Sequence, residues 1–148
     1  MDRKLHILFL CTGNACRSQM AEGWARYLHE NLFNVASAGT NPHGMNAKAI
    51  RVMAEAGVDI SGHTSKHVDT FAGTHFDYVF TVCDSAHETC PIFPGGAKVI
   101  HHGFEDPPRL ALGSKTEEEA LQHYRRVRDE IKVWVETLPA MLVKEPAR

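Results

Sequence analysis

From Leu5 to Leu10 the chain reads LHILFL, apolar at every position but His6, and a run of this length suits a strand buried on both faces. The period then changes. From Arg17 onward Met20, Ala21, Trp24, Ala25 and Leu28 fall on one helical face. Phe33 to Ala38 predicts a second, short strand. Asn46 is placed to cap a helix carrying Ile50, Met53 and Ala54, and Gly57 supplies a left-handed stop. Asp77 to Val82 predicts a third strand, and Lys98 to His101 a fourth. The last helix carries the clearest signal. Thr116 and Glu119 form a capping box, and Leu121, Tyr124, Val127, Ile131, Trp134, Val135 and Leu138 follow at helical spacing. Pro139 falls where this helix is expected to end, which leaves 139–148 as a loosely ordered tail.

Strands alternating with helices predict an α/β fold with a parallel sheet covered on both faces. At 148 residues, without repeats, low-complexity stretches or a linker, the chain is expected to form one domain, 1–148. Open parallel sheets bind ligands at the carboxyl ends of their strands, where the strand order reverses. That rule singles out Cys11, directly after the first strand, and Cys83, directly after the third.

Composition narrows the choice. Net charge is −2, so no broad basic field invites nucleic acid or an anionic membrane. No apolar run approaches the ~20 residues that span a bilayer, and the Leu5–Leu10 run is short for a signal peptide. The expectation is a cytoplasmic protein, in which the four cysteines Cys11, Cys16, Cys83 and Cys90 are catalytic, redox-active or simply buried.

The segment Cys11-Thr12-Gly13-Asn14-Ala15-Cys16-Arg17-Ser18 carries the chemistry. A loop curling into a helix start aims backbone N–H groups inward, and these donors with the positive helix end bind a tetrahedral oxyanion. Thr12, Gly13, Asn14, Ala15, Cys16, Arg17 and Ser18 are therefore the expected oxyanion-binding residues. Gly13 allows backbone angles other residues avoid, and Asn14 tolerates a left-handed turn. Arg17 offers a fork of donors to two anion oxygens. The same positive setting favours thiolate over thiol at Cys11, and Ser18 can donate to it.

This loop resembles that of the low-molecular-weight protein tyrosine phosphatases, and still more that of their relatives, the thioredoxin-coupled arsenate reductases. The likeness runs from Lys4 to about Leu138. Arg17-Ser18-Gln19-Met20-Ala21-Glu22-Gly23 favours the reductases, because the phosphatases usually carry proline after the serine. The resemblance implies a three-layer α/β/α domain with four parallel strands in the order 2-1-3-4. It also implies a monomer without cofactor that takes arsenate, with phosphate or sulfate as mimics, and uses thioredoxin as reductant.

Cys83 and Cys90 separate the two subfamilies. By resemblance, Cys11 attacks arsenic, Cys83 attacks the Cys11 sulfur and expels arsenite, and Cys90 then attacks Cys83. The implied redox disulfides are Cys11–Cys83 and Cys83–Cys90. Seven residues of helix would separate the Cα atoms of Cys83 and Cys90 by ~10.5 Å, beyond the ~6.8 Å a disulfide spans. If 84–89 are helical when reduced, that turn must unwind on oxidation, so a two-state segment over 83–96 is expected. The spacings of the cysteines are loose for a structural zinc site.

Asp106, in Glu105-Asp106-Pro107, is the expected general acid, since both subfamilies have Asp-Pro here and a protonated oxygen leaves far more readily. Pro108 and Arg109 follow, where the phosphatases commonly place a tyrosine that binds an aromatic substrate. Cys16 is expected to pack, with an off-pathway disulfide to Cys11 as the other reading. Of His101 and His102 one ring is expected packed and one wet, and His63, His67, His75 and His87 are expected on the surface. Many relatives bind potassium through groups resembling Asn14, Glu22 and Ser37 plus an aspartate after His-Thr-Ser. Here Lys66 follows His63-Thr64-Ser65, which leaves two readings: its ammonium stands in for the cation and pairs with Glu22, so that potassium is not needed, or it is a solvated surface lysine.

Three functions remain: an arsenate reductase, a phosphatase acting through a Cys11 phospho-enzyme, and an oxyanion or thiol sensor without turnover. Asp106 counts against the last, since binding alone needs no proton donor.

Overall fold

A computed structural model of the chain describes residues 4–84, 93 and 96–143. In it the strands are β1 (Leu5–Cys11), β2 (Phe33–Gly39), β3 (Tyr78–Thr81) and β4 (Lys98–His101). The helices are α1 (Arg17–His29), α2 (Ala47–Glu55), α3 (Pro107–Leu110) and α4 (Glu117–Val143). All four strands are parallel and lie in the order β2-β1-β3-β4, as expected. The order reverses at β1, so the carboxyl ends of β1 and β3 border the crevice where such sheets hold ligands.

The apolar run of β1 is buried on both faces because it lies between two neighbours and two cores. Ile7, Phe9 and Cys11 face one core, shared with α1, α2 and α4. Leu8 and Leu10 face the other, with Phe76 and Val79 packed beside them and Phe71 and Phe93 at its margin. In the first core Trp134 of α4 meets Phe9 and Phe80 edge-on, at 5.8 and 5.4 Å between ring centroids. At α2 the Asn46 side chain accepts from the Ala49 N–H at 3.0 Å, and Gly57 takes φ +88°. Before α4, Thr116 Oγ1 accepts from the Glu119 N–H at 3.1 Å, as a capping box requires.

One boundary differs from the sequence expectation. Pro139 lies inside α4, which continues to Val143 with Leu142 buried. A proline at this position removes the N–H that would bond the carbonyl four residues earlier, at Val135. His29, at the end of α1, replaces it: its Nε2 lies 2.9 Å from the Val135 oxygen. A carbonyl only accepts, so Nε2 carries the hydrogen. Burial of Leu138 and Leu142 on the same helical face then carries the helix past the proline.

Candidate active site

The loop between β1 and α1 is held from outside by a strap of chain that runs across it. Asn41 N–H donates to the Thr12 carbonyl at 2.9 Å, His43 N–H to Gly13 at 3.0 Å, and Asn46 N–H to Ala15 at 3.0 Å. Ser65 Oγ adds a second donor to the Gly13 oxygen at 3.1 Å. Each peptide plane carries its N–H opposite its C=O. Turning these carbonyls out to the strap therefore turns the N–H groups of the same planes toward a cavity of ≈ 310 Å³. Cys11, Thr12, Gly13, Ala15, Cys16 and Arg17 line it from the loop side. Inward donors at a helix start make it a site for an anion.

Cys11 is a free thiol, 2% exposed, at the floor of this cavity. Its Sγ lies 3.0 Å from Ser18 Oγ. Asn14 takes the left-handed turn, at φ +46°, and its Nδ2 donates to Ser18 Oγ and to Ser37 Oγ, both at 2.9 Å. The amide orientation is fixed because Asn14 Oδ1 accepts the Lys66 backbone N–H at 2.8 Å and Gln19 Nε2 at 3.0 Å. Since Ser18 Oγ already accepts from Asn14, its own hydrogen is available to Cys11 Sγ.

Arg17 is 5% exposed. Its Nη1 donates to the Phe104 carbonyl at 3.1 Å, and its Nη2 lies 3.6 Å from Asp106 Oδ1. Arg17 thus joins the loop to the turn after β4. Asp106 has the extended backbone that a following proline favours, at φ −88° and ψ 108°, and it borders the same cavity as Cys11, together with Pro108. Cys16 is buried and also borders the cavity. Burial, reinforced by Asp106, raises its thiol pKa well above the ordinary value, which keeps it protonated.

His43 was not legible in the sequence as part of this site. Its exposed ring lines the cavity and stacks on Gly13, where an added Cβ would come within 2.8 Å of His43 Nδ1. His63 is half-buried rather than on the surface: its Nδ1 lies 3.0 Å from Gln19 Oε1, and burial lowers its pKa. His67 and His75 are exposed. His101 and His102 are both exposed, with His101 Nδ1 2.8 Å from Thr81 Oγ1 and the His102 ring stacked on Phe104 at 4.8 Å.

Leu10 pairs with Thr81 across β1 and β3, so Cys11, the last residue of β1, and Cys83 stand one and two residues beyond the same rung. Cys83 is fully buried and disulfide-bonded. Cys90, His87 and most of the segment expected to change state lie outside the described residues.

Lys66 does not pair with Glu22. Its ammonium donates to the Thr64 carbonyl at 2.8 Å. Glu22, 4% exposed, has Arg26 Nε at 2.9 Å on Oε2 and the Ser37 hydroxyl at 2.6 Å on Oε1. The helix explains the difference, because residues 22 and 26 are one turn apart on α1 while Lys66 lies on a separate loop. Each Glu22 oxygen accepts one hydrogen bond from the chain, and Asn14 Oδ1 accepts two.

Among the described residues no helix is long and apolar enough to cross a membrane. The model of the family described as low molecular weight phosphotyrosine protein phosphatase matches residues 6–148. An arsenate reductase of Staphylococcus xylosus is 47% identical over 136 residues, covering 92% of this chain and 96% of its own. One from Bacillus subtilis strain 168 is 48% identical over 131 residues, covering 88% and 91%. A solved arsenate reductase in its phosphate binding state superposes with a TM-score of 0.74 at 32% identity, covering 93% of this chain and 98% of the other. In sequence and in fold, the chain belongs to the low molecular weight phosphotyrosine protein phosphatase family.

Proposed function

We propose that this protein is an arsenate reductase whose electrons come from a relay of three cysteines and, beyond them, from thioredoxin. The carrying observation is the pairing of a free Cys11, held by Ser18 under an anion cavity, with a second cysteine leaving the neighbouring strand beside it. Relatives 46–48% identical over most of the chain that bear the name arsenate reductase support the reading.

Arsenate binds with its oxygens on the loop N–H groups and the Arg17 guanidinium. Cys11 thiolate attacks arsenic, a sulfur–arsenic bond forms, and one oxygen leaves as water after taking a proton from Asp106. Cys83 thiolate then attacks the Cys11 sulfur. The sulfur–arsenic electron pair stays with arsenic, which leaves as arsenite, and a Cys11–Cys83 disulfide remains. Two electrons have passed from the two sulfurs to arsenic. Cys90 attacks Cys83, frees Cys11, and leaves a Cys83–Cys90 disulfide for thioredoxin to reduce. Support for this last exchange comes from Cys83 being oxidised while Cys11 and Cys16 keep free thiols. A monomer in a reducing cytoplasm suits the scheme.

The test is NADPH oxidation with arsenate, thioredoxin and thioredoxin reductase. Each of Cys11→Ser, Cys83→Ser and Cys90→Ser is expected to abolish steady-state turnover. The family supports a second activity, hydrolysis of small phosphate esters through Cys11. Cys83→Ser is expected to spare it. Arsenate turnover that survives Cys83→Ser refutes the relay. Pro108 at the cavity wall, where the phosphatases commonly carry tyrosine, argues against a phosphotyrosine substrate.

A further inference from the structure

A line of hydrogen bonds leads from the surface of α1 to the nucleophile, and its direction is set at its outer end. Arg26 Nε donates to Glu22 Oε2 at 2.9 Å, and Arg26 Nη2 donates to the Val35 carbonyl at 2.7 Å. The guanidinium therefore spans α1 and β2. Ser37 donates its hydrogen to Glu22 Oε1 at 2.6 Å. A carboxylate only accepts, so this bond has one possible direction. With its hydrogen spent, Ser37 Oγ accepts one N–H of Asn14 Nδ2, while the other goes to Ser18 Oγ. The Ser18 hydroxyl is then turned to Cys11 Sγ, 3.0 Å away.

We propose that Arg26 is a positioning residue for Cys11: its guanidinium takes the place of a bound cation at Glu22, and by fixing that carboxylate it aims the Ser18 hydroxyl at the sulfur. Glu22 is buried, and a buried carboxylate without a partner is strongly destabilising. Among the described residues Arg26 is the cation at hydrogen-bond distance from it. His63 also feels the charge of Glu22, but its ring bonds Gln19, and the Lys66 ammonium bonds the Thr64 carbonyl. The inference concerns how the thiol is held, and does not depend on arsenate being the substrate.

The test uses the reduced full-length protein and follows alkylation of Cys11 by iodoacetamide at one neutral pH, read by mass spectrometry of its peptide. Arg26→Met, which keeps the apolar stem, is expected to slow Cys11 alkylation by about three- to tenfold, the worth of one weakened hydrogen bond. Arg26→Lys is expected to recover most of the rate. In a Ser18→Ala background Arg26→Met is expected to change nothing further, which a general loosening of the fold would not reproduce. Cys16, Arg17, His43 and Asp106, the other titratable or charged groups lining the cavity, are common to all these proteins. Equal alkylation of wild type and Arg26→Met overturns the proposal, as does an equal slowing with and without Ser18. A second arm needs no variant to fold. The wild-type melting temperature is expected to be the same in potassium and sodium chloride at equal ionic strength, and a specific rise in potassium overturns the substitution of guanidinium for cation.

Discussion

His29 Nε2 lies 2.9 Å from the Val135 carbonyl, and Val135 is the residue whose helical donor Pro139 has removed. A side chain of α1 thus completes the backbone bonding of α4 and lets the last helix run past its proline. His29→Ala leaves a partly buried oxygen short of a donor, and the expected cost is about 1–2 kcal/mol in urea unfolding. Pro139→Ala restores a backbone N–H four residues on from Val135. In that background His29→Ala is expected to cost much less, and equal losses in the two backgrounds would show that the histidine acts through packing on Phe33 instead.

Two glycines near the anion loop are expected to respond to very different degrees. A Cβ on Gly39 would collide with the Thr12 and Cys11 carbonyl oxygens, and would lie 3.0 Å from the Asn14 nitrogen. All three atoms are backbone of the loop that holds the site, so none can swing aside. Gly39→Ala is expected to cost at least ~2 kcal/mol and to slow Cys11 alkylation. A Cβ on Gly13 meets the exposed ring of His43, which can rotate away, so Gly13→Ala is expected to cost under ~1 kcal/mol. The ranking inverts the naive one, in which the glycine inside the motif matters more. Urea midpoints of the two variants decide it.

Asp106 lines the same cavity as Cys11 and lies 3.6 Å from Arg17. If it protonates the departing oxygen, Asp106→Asn lowers the rate of arsenate turnover by about 10²-fold or more. Alkylation of Cys11, which needs no proton donor, is expected to fall far less. A parallel loss of both would assign Asp106 to holding Arg17 and the loop in place.

Periodicity in the sequence was enough to place every strand and the three long helices, because each buries a stripe or a run whose spacing survives in one dimension. The anion loop was legible for a related reason: Cys11, Gly13, Asn14 and Arg17 are residue types that the chemistry itself demands. The strap over the loop was not. Asn41, His43 and Asn46 hold Thr12, Gly13 and Ala15 through backbone groups, which every residue carries. Arg26 could have been found, since Glu22 and Arg26 are an i, i+4 pair on a predicted helix. Lys66 occupies the motif position but lies on a separate loop, outside helical reach of Glu22. The passage of α4 through Pro139 depends on His29, which lies far away in the chain and carries no local mark.

Tyr124 offers a pH signature of the packing behind the loop. Its hydroxyl accepts from Asn46 Nδ2 at 3.2 Å, and the Asn46 backbone N–H holds the Ala15 carbonyl at 3.0 Å. Burial pushes the phenol pKa up to about 12, only partly offset by the Asn46 hydrogen bond, with Cys16 and Asp106 adding to the rise. In the unfolded chain a tyrosine ionises near ~10. Between these two values the folded protein holds a proton that the unfolded chain has lost. Stability is therefore undiminished below about 10 and falls as pH rises toward about 12. Absorbance at the tyrosinate band is expected to show one late-titrating phenol, and Tyr124→Phe to remove that component and flatten the alkaline fall in urea stability. A late component that persists in Tyr124→Phe assigns the raised phenol to another tyrosine and breaks the link between this hydroxyl and the loop.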